Sequence, residues 1–236
     1  MTPTPGRRAD APPPIGADER RRRIDALRAA MERAKASAVL LGSTTSLRYF
    51  TGIDWHPSER FCGALISGAR IDYIAPRFEL EKVAGLVTLP GDIATWEEEE
   101  SPWRLIAGLA PAGALALDPD LPLFMYRALR REIDDARLAD AAPLIGPLRA
   151  RKSAAEISLM AHAKRLTLEA QRRAYGFLRP GVMASEVARF IDETHRALGA
   201  DGGNTFCIVA FGADTALPHG PEKDRALAED DAVLID

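Results

Sequence analysis

Two residues late in the chain have the type and setting for chemistry. His219 lies in "LPHGP", where proline and glycine fix a rigid loop and glycine admits a close ligand or backbone. A histidine on such a loop suits proton transfer or hydrogen bonding to a substrate, with an exposed turn histidine as the plainer alternative. Asp236 follows the apolar run "AVLI". A carboxylate held at a strand tip suits a hard metal ion; a strand-end aspartate meeting solvent or capping a turn is the alternative. His56, in "DWHPSER" with Trp55 and Arg60, is placed either to line a site or to sit in a packed loop. His162 and His195 fall on helical stretches, form no His-x-x-x-His pair and are expected at the surface.

Other chemistries lack their motifs. There is no G-x-S-x-G, GxGxxG or P-loop, so neither a serine nucleophile of that kind nor a Rossmann-type nucleotide role is supported. "WEEEES" reads as a solvated charge run, because adjacent glutamates repel. Cys62 and Cys207 lie far apart, without CxxC spacing. That excludes a cysteine-rich zinc ribbon and gives no disulfide framework. Both sit in apolar, strand-like runs and are expected to be buried and inert, with cytoplasm as the default compartment.

The 236 residues are 47% hydrophobic and 28% charged, the makeup of a globular protein. A formal net charge of −3 supplies no basic field for nucleic acid, and no apolar run is long enough to span a membrane. The start has arginines but no apolar stretch behind them, unlike a secretory signal. Residues 1–17, rich in Pro, Ala and charge, are expected to be a disordered tail. "ERRRR" then reads as the solvated first turn of a helix, with a phosphate-binding patch as the alternative.

These residues need elements to hold them. Ile24, Leu27, Met31 and Ala34 recur at helical spacing. "SAVLLG" is a short buried strand, "FCGALISG" and "RIDYIAP" are two strands joined by a turn, and strand and helix alternate from there. Such alternation argues for an α/β layer over residues 18–146. "PLIGPLRARKS" reads as a proline-bounded link. After residue 149 a long helix begins with the capping box of Ser153 and Glu156, and Ile157, Met160, Ala161, Ala163 and Leu168 supply its apolar stripe. A second helix, with Gly199 as its stop, then leads to two strands, which makes 149–236 an α+β unit.

The ordered set resembles the creatinase/prolidase/Xaa-Pro aminopeptidase family of pita-bread metallopeptidases. The resemblance rests on "RIDALRAAMERAKASAVLLGSTTSLRYFTGI", the R-x-x-K-S-x-x-E-I join, and above all the "PHG" segment followed by "DDAVLID". It implies an α/β creatinase-like N-terminal domain followed by the first half of an α+β pita-bread domain. It further implies that His219 contacts substrate and assists the tetrahedral intermediate, and that Asp236 is the first ligand of a two-ion Mn, Co or Zn site. The resemblance also implies that the family's remaining ligands, an Asp, a His and two Glu, are to be expected only beyond residue 236. The expectation is therefore the N-terminal portion of a longer, cytoplasmic, homodimeric peptidase acting on Xaa-Pro peptides. The 236 residues themselves are expected to be inactive and to bind no metal well. Tyr49, His56 and Arg60 become candidate substrate contacts. The alternatives are a non-catalytic binding or dimerising module, or a parent acting on small amides, as creatinase and ectoine hydrolase do.

Overall fold

A computed structural model describes residues 11–236; positions 1–10 of the expected tail lie outside the described residues. The chain divides into two compact units, Ile15–Lys152 and Ser153–Asp236.

The first unit begins with α1 (Ala17–Ala34) and β1 (Ala36–Leu41), then α2 (Thr45–Thr51), β2 (Gly63–Ser67) and β3 (Ile71–Pro76). Next come α3 (Leu80–Leu86), β4 (Asp92–Trp96), α4 (Pro102–Leu109), β5 (Ala114–Leu117), α5 (Leu123–Leu129), β6 (Leu138–Asp140) and α6 (Ala142–Ala150). Its six strands form one sheet in the order β4-β3-β2-β1-β5-β6. β1 is antiparallel to β2 and parallel to β5. Side chains alternate across the sheet, so the two faces carry separate cores. Val39, Leu41, Ala64, Ile66 and Tyr73 meet α1, α2 and α6 through Leu27, Phe50 and Ile145. Leu40, Leu65 and Ile74 meet α4 and α5 through Ile106, Met125 and Leu129. Burial on both faces explains why β1 reads as an unbroken apolar run.

Two local readings change. α2 was not visible as a helix: Thr44 caps it by accepting from the Ser46 N–H at 3.1 Å, and Gly52 ends it at φ +84°. "PLIGPLRA" is not a link but the helix α6, which buries Leu144 and Ile145. Pro143 stands in its first turn, where a missing N–H is harmless.

The second unit holds α7 (Ala154–Phe177), α8 (Ala184–Ala197), β7 (Val209–Phe211) and β8 (Val233–Ile235). The capping box forms: Glu156 N–H donates to Ser153 Oγ at 3.3 Å and Ser153 N–H to Glu156 Oε2 at 2.8 Å. Gly199 follows α8 at φ +95°. The expected stripe on α7 is not its buried face. Ile157, Met160 and Leu168 are each more than half exposed, and the helix buries Ala170 and Ala174 instead. Small residues there allow close approach, and Phe177 stacks on Phe190 of α8 with centroids 4.4 Å apart. His195 is also not at the surface. It is buried, its Nδ1 is 2.9 Å from the Ile191 carbonyl oxygen, and its Nε2 is 3.3 Å from Thr167 Oγ1.

Candidate functional site

β7 and β8 pair antiparallel, with Val209 opposite Ile235 and Phe211 opposite Val233. Val209, Phe211 and Ile235 pack with Val187 and Ile191 of α8. Strand alternation therefore turns Ile208 and Asp236 to the face away from the helices. These two residues are directly opposite: Ile208 N–H donates to the Asp236 carbonyl at 2.7 Å, and Asp236 N–H returns to Ile208 at 2.9 Å.

The loop carrying His219 reaches the same face. Leu217–Gly220 is a tight turn closed by Gly220 N–H donating to the Leu217 carbonyl at 3.1 Å, with Pro218 in its second position. Gly220 has φ +77°, and a Cβ there would lie 3.1 Å from Ile208 Cγ2. Only glycine combines that dihedral with that approach. The turn is thus seated on the neighbour of Asp236, and His219 stands exposed on it.

An ion pair fixes both arms. Arg225 donates from Nη2 to both Asp231 oxygens at 2.8 Å and from Nη1 to the Phe211 carbonyl at 3.1 Å. Gly212, at φ +56°, lies against the pair; a Cβ there would stand 2.3 Å from Asp231 Oδ1. Asp224 adds a strap, accepting from Ser185 N–H at 3.1 Å and Ser185 Oγ at 2.6 Å at the start of α8. Sequence reasoning passed over these charged residues. A six-residue spacing in an irregular segment carries no periodic signal.

The other candidates belong to the first unit. Tyr49 is half-buried and donates its hydroxyl to the Leu148 carbonyl at 3.0 Å, tying α2 to α6. Arg60 donates from Nε to Glu98 Oε1 at 2.8 Å, and that hydrogen bond holds its guanidinium above the usual range. "WEEEES" is therefore partly engaged rather than simply solvated. His56 is exposed beside Trp55, whose ring lies 4.2 Å from Lys82 Nζ. Cys62 is buried as expected, and desolvation, then Glu79, pushes its thiol up to about 12. Cys207 is only half-buried, and burial raises its pKa too.

Comparisons with known proteins bear on the family and the fold. Residues 23–151 match the Creatinase/Prolidase N-terminal domain, and 158–236 match Metallopeptidase family M24. The chain belongs to the creatinase/prolidase family of metallopeptidases. It joins the family's N-terminal α/β domain to the first part of its pita-bread domain. An uncharacterized peptidase of Schizosaccharomyces pombe is 30% identical over 93% of this chain and 51% of its own length. The dipeptidase PepE of Mycobacterium ulcerans superposes with a TM-score of 0.80 at 25% identity, over 92% of this chain and 59% of that one. An Xaa-Pro dipeptidase from Bacillus anthracis gives 0.77 at 25%, over 92% and 60%. The chain spans about half the length of the Schizosaccharomyces pombe relative. No described helix is long and apolar enough to cross a membrane.

Proposed function

We propose that the chain is the N-terminal portion of a metal-dependent peptidase acting on Xaa-Pro peptides, as an aminopeptidase or a dipeptidase. The observation that carries this reading is the shared face. The His219 turn packs on Ile208, and Ile208 is the strand partner of Asp236. Asp236 is assigned as a metal ligand, and His219 as a group that hydrogen-bonds substrate or moves a proton. The Xaa-Pro dipeptidase of Bacillus anthracis supports the substrate class.

The donor set limits what these residues do alone. Among the described residues, no three His, Cys, Asp or Glu side chains gather to hold a metal ion. Asp236 fits as one donor of a larger set, and hard cations need several oxygen or nitrogen ligands each. The 236 residues alone are accordingly expected to lack peptidase activity. A divalent ion held by the completed set would activate a water for attack on the peptide bond. The residues here would orient substrate and steady the developing charge. His56, exposed on its loop, is the strongest of the N-terminal substrate-contact candidates; Tyr49 and Arg60 already hold internal partners.

In the full-length polypeptide, His219→Ala should lower kcat on an Xaa-Pro dipeptide by about 10²-fold or more. Asp236→Asn should weaken Mn²⁺ or Co²⁺ binding measured by calorimetry. Unchanged rates and metal affinities would remove both assignments. Turnover of creatine in place of Xaa-Pro peptides would move the parent to the small-amide class.

A further inference from the structure

A second feature lies wholly within residues 15–152. β1 and β5 are parallel neighbours, but the chain leaves them toward opposite faces of the sheet. After β1 it enters α2, whose Leu47 and Phe50 join one core. After β5 it enters α5, whose Met125 and Leu129 join the other. Divergence of this kind opens a crevice beyond the carboxyl ends of the two strands, the place where open α/β sheets take up ligands. A cleft of about 390 Å³ is found there, lined from both loops.

Its floor is rigid. Asp118, only 2% exposed, follows β5 and accepts from the Thr44 hydroxyl, from Ser46 Oγ at 3.5 Å and from Asp120 N–H at 3.1 Å. One buried carboxylate thus locks the loop after β1 to the loop after β5. The rim carries both signs of charge. Arg48 pairs with Asp54 at 3.3 Å, yet its side chain remains 67% exposed, so its fork keeps donors for a ligand. Asp120 stands exposed on the opposite lip. Trp55, Pro122 and Met125 supply apolar wall.

We propose that this crevice binds a small zwitterion, a free α-amino acid or a dipeptide. Its carboxylate would meet Arg48, its ammonium Asp120 and Asp54, and its side chain the Trp55–Met125 wall. Arg48 and Asp54 already answer each other, so a simple anion would leave Asp120 unmatched and a simple cation would leave the spare Arg48 donors unused; a zwitterion engages both. The proposal does not rest on the metallopeptidase reading: its charge pairs use neither His219 nor Asp236, although the substrate-contact candidate His56 stands on the same loop as Asp54 and Trp55.

The test is a titration of the ¹⁵N-labelled 236-residue chain with L-leucine and glycyl-L-leucine, followed by amide and Trp55 indole shifts. N-acetyl-L-leucine, lacking the ammonium, and L-leucinamide, lacking the carboxylate, are the controls. Saturable shifts confined to residues 43–48, 54–58 and 118–125 are expected, with a Kd of about 1 mM or tighter for one of the two zwitterions. Both controls should bind about tenfold or more weakly. Arg48→Gln and Asp120→Asn, exposed changes that leave the Asp118 lock in place, should each weaken binding about tenfold. The better-bound zwitterion identifies amino acid or dipeptide as the ligand. No saturable shift, shifts centred elsewhere, equal binding of the controls, or full affinity in both variants would each overturn the proposal.

Discussion

The two units bury their apolar residues in different ways. Residues 15–152 wrap a six-stranded sheet on both faces, and the largest buried side chains, Tyr73, Phe50 and Phe61 among them, lie almost entirely there. Residues 153–236 have a two-stranded sheet with helices on one face. Seven of the ten large apolar side chains that stay exposed among the described residues belong to this second unit. The candidate chemistry sits in the half with the thinner core. Its geometry depends on local locks, namely Arg225 with Asp231, Asp224 with Ser185, and glycines at positive φ. The candidate crevice of the first unit instead borrows its rigidity from a deep core.

The contrast can be broken from either side, and the protein carries its own probes. All three tryptophans, Trp55, Trp96 and Trp103, lie in the first unit, so fluorescence reports that unit alone. Helical circular dichroism also sees α7 and α8. Phe50→Ala removes a fully buried ring that packs edge-on to Tyr49 with centroids 4.9 Å apart. It should destabilise the first unit by about 3–5 kcal/mol and shift the urea transition seen by fluorescence. A variant that shifts the α7 and α8 signal equally would show that the two units melt as one. Gly212→Ala should act on the second unit. It places a Cβ against Asp231 in a left-handed conformation, a strain of about 1–3 kcal/mol. Faster amide exchange at Phe211 and Asp236, with unchanged tryptophan fluorescence, is the expected outcome. Ser153→Ala should cost about 1 kcal/mol through the lost cap, read as fraying at the start of α7.

Acid should separate the units with the smallest single effects and opposite signs. Burial raises the Asp118 pKa above the usual carboxylate range. Its contribution is therefore full below the unfolded value and is lost as pH rises through the folded one. Among the second unit's carboxylates the resolved shifts run downward. The Arg196 hydrogen bond lowers Asp192, the Ser185 hydroxyl lowers Asp224, and Arg172 with Arg173 brings Glu169 to about 2. Those contributions are present above the unfolded values and are lost as pH falls through the folded ones. On titration downward from pH 5, the α7 and α8 signal should decay before tryptophan fluorescence does. Simultaneous loss would argue against the separation.

Legibility in the sequence followed the same division. Patterns that depend on neighbours along the chain survived: the Ser153 capping box, the Gly199 stop and the buried run of β1. Patterns that depend on a partner far away did not. Helical spacing identified α7 but could not say which face is covered, and alanines at 170 and 174 make a closer contact than Ile157 or Leu168 would allow. His195 reads as a surface residue until Thr167 and Ile191 are placed around it. The "PLIGP" prolines suggest a link because the core that holds α6 is built mostly from residues a hundred positions earlier. Of the candidate site, Asp236 and His219 are open to plainer readings by setting and draw their assigned roles from the family resemblance, whereas Arg225 and Asp231 are ordinary charges until the Phe211 carbonyl lies beside them.

The central position of β1 also has a bearing on how the chain is made. Val39 pairs with Ile66 on one side and with Ala116 on the other. At ordinary translation rates of about 5–20 residues per second, the second partner is synthesised some seconds after the first. Through that interval the nascent chain carries an apolar strand with one hydrogen-bonding edge open. A strand that ends up buried between two neighbours is thus, during synthesis, one that a chaperone would have to shield.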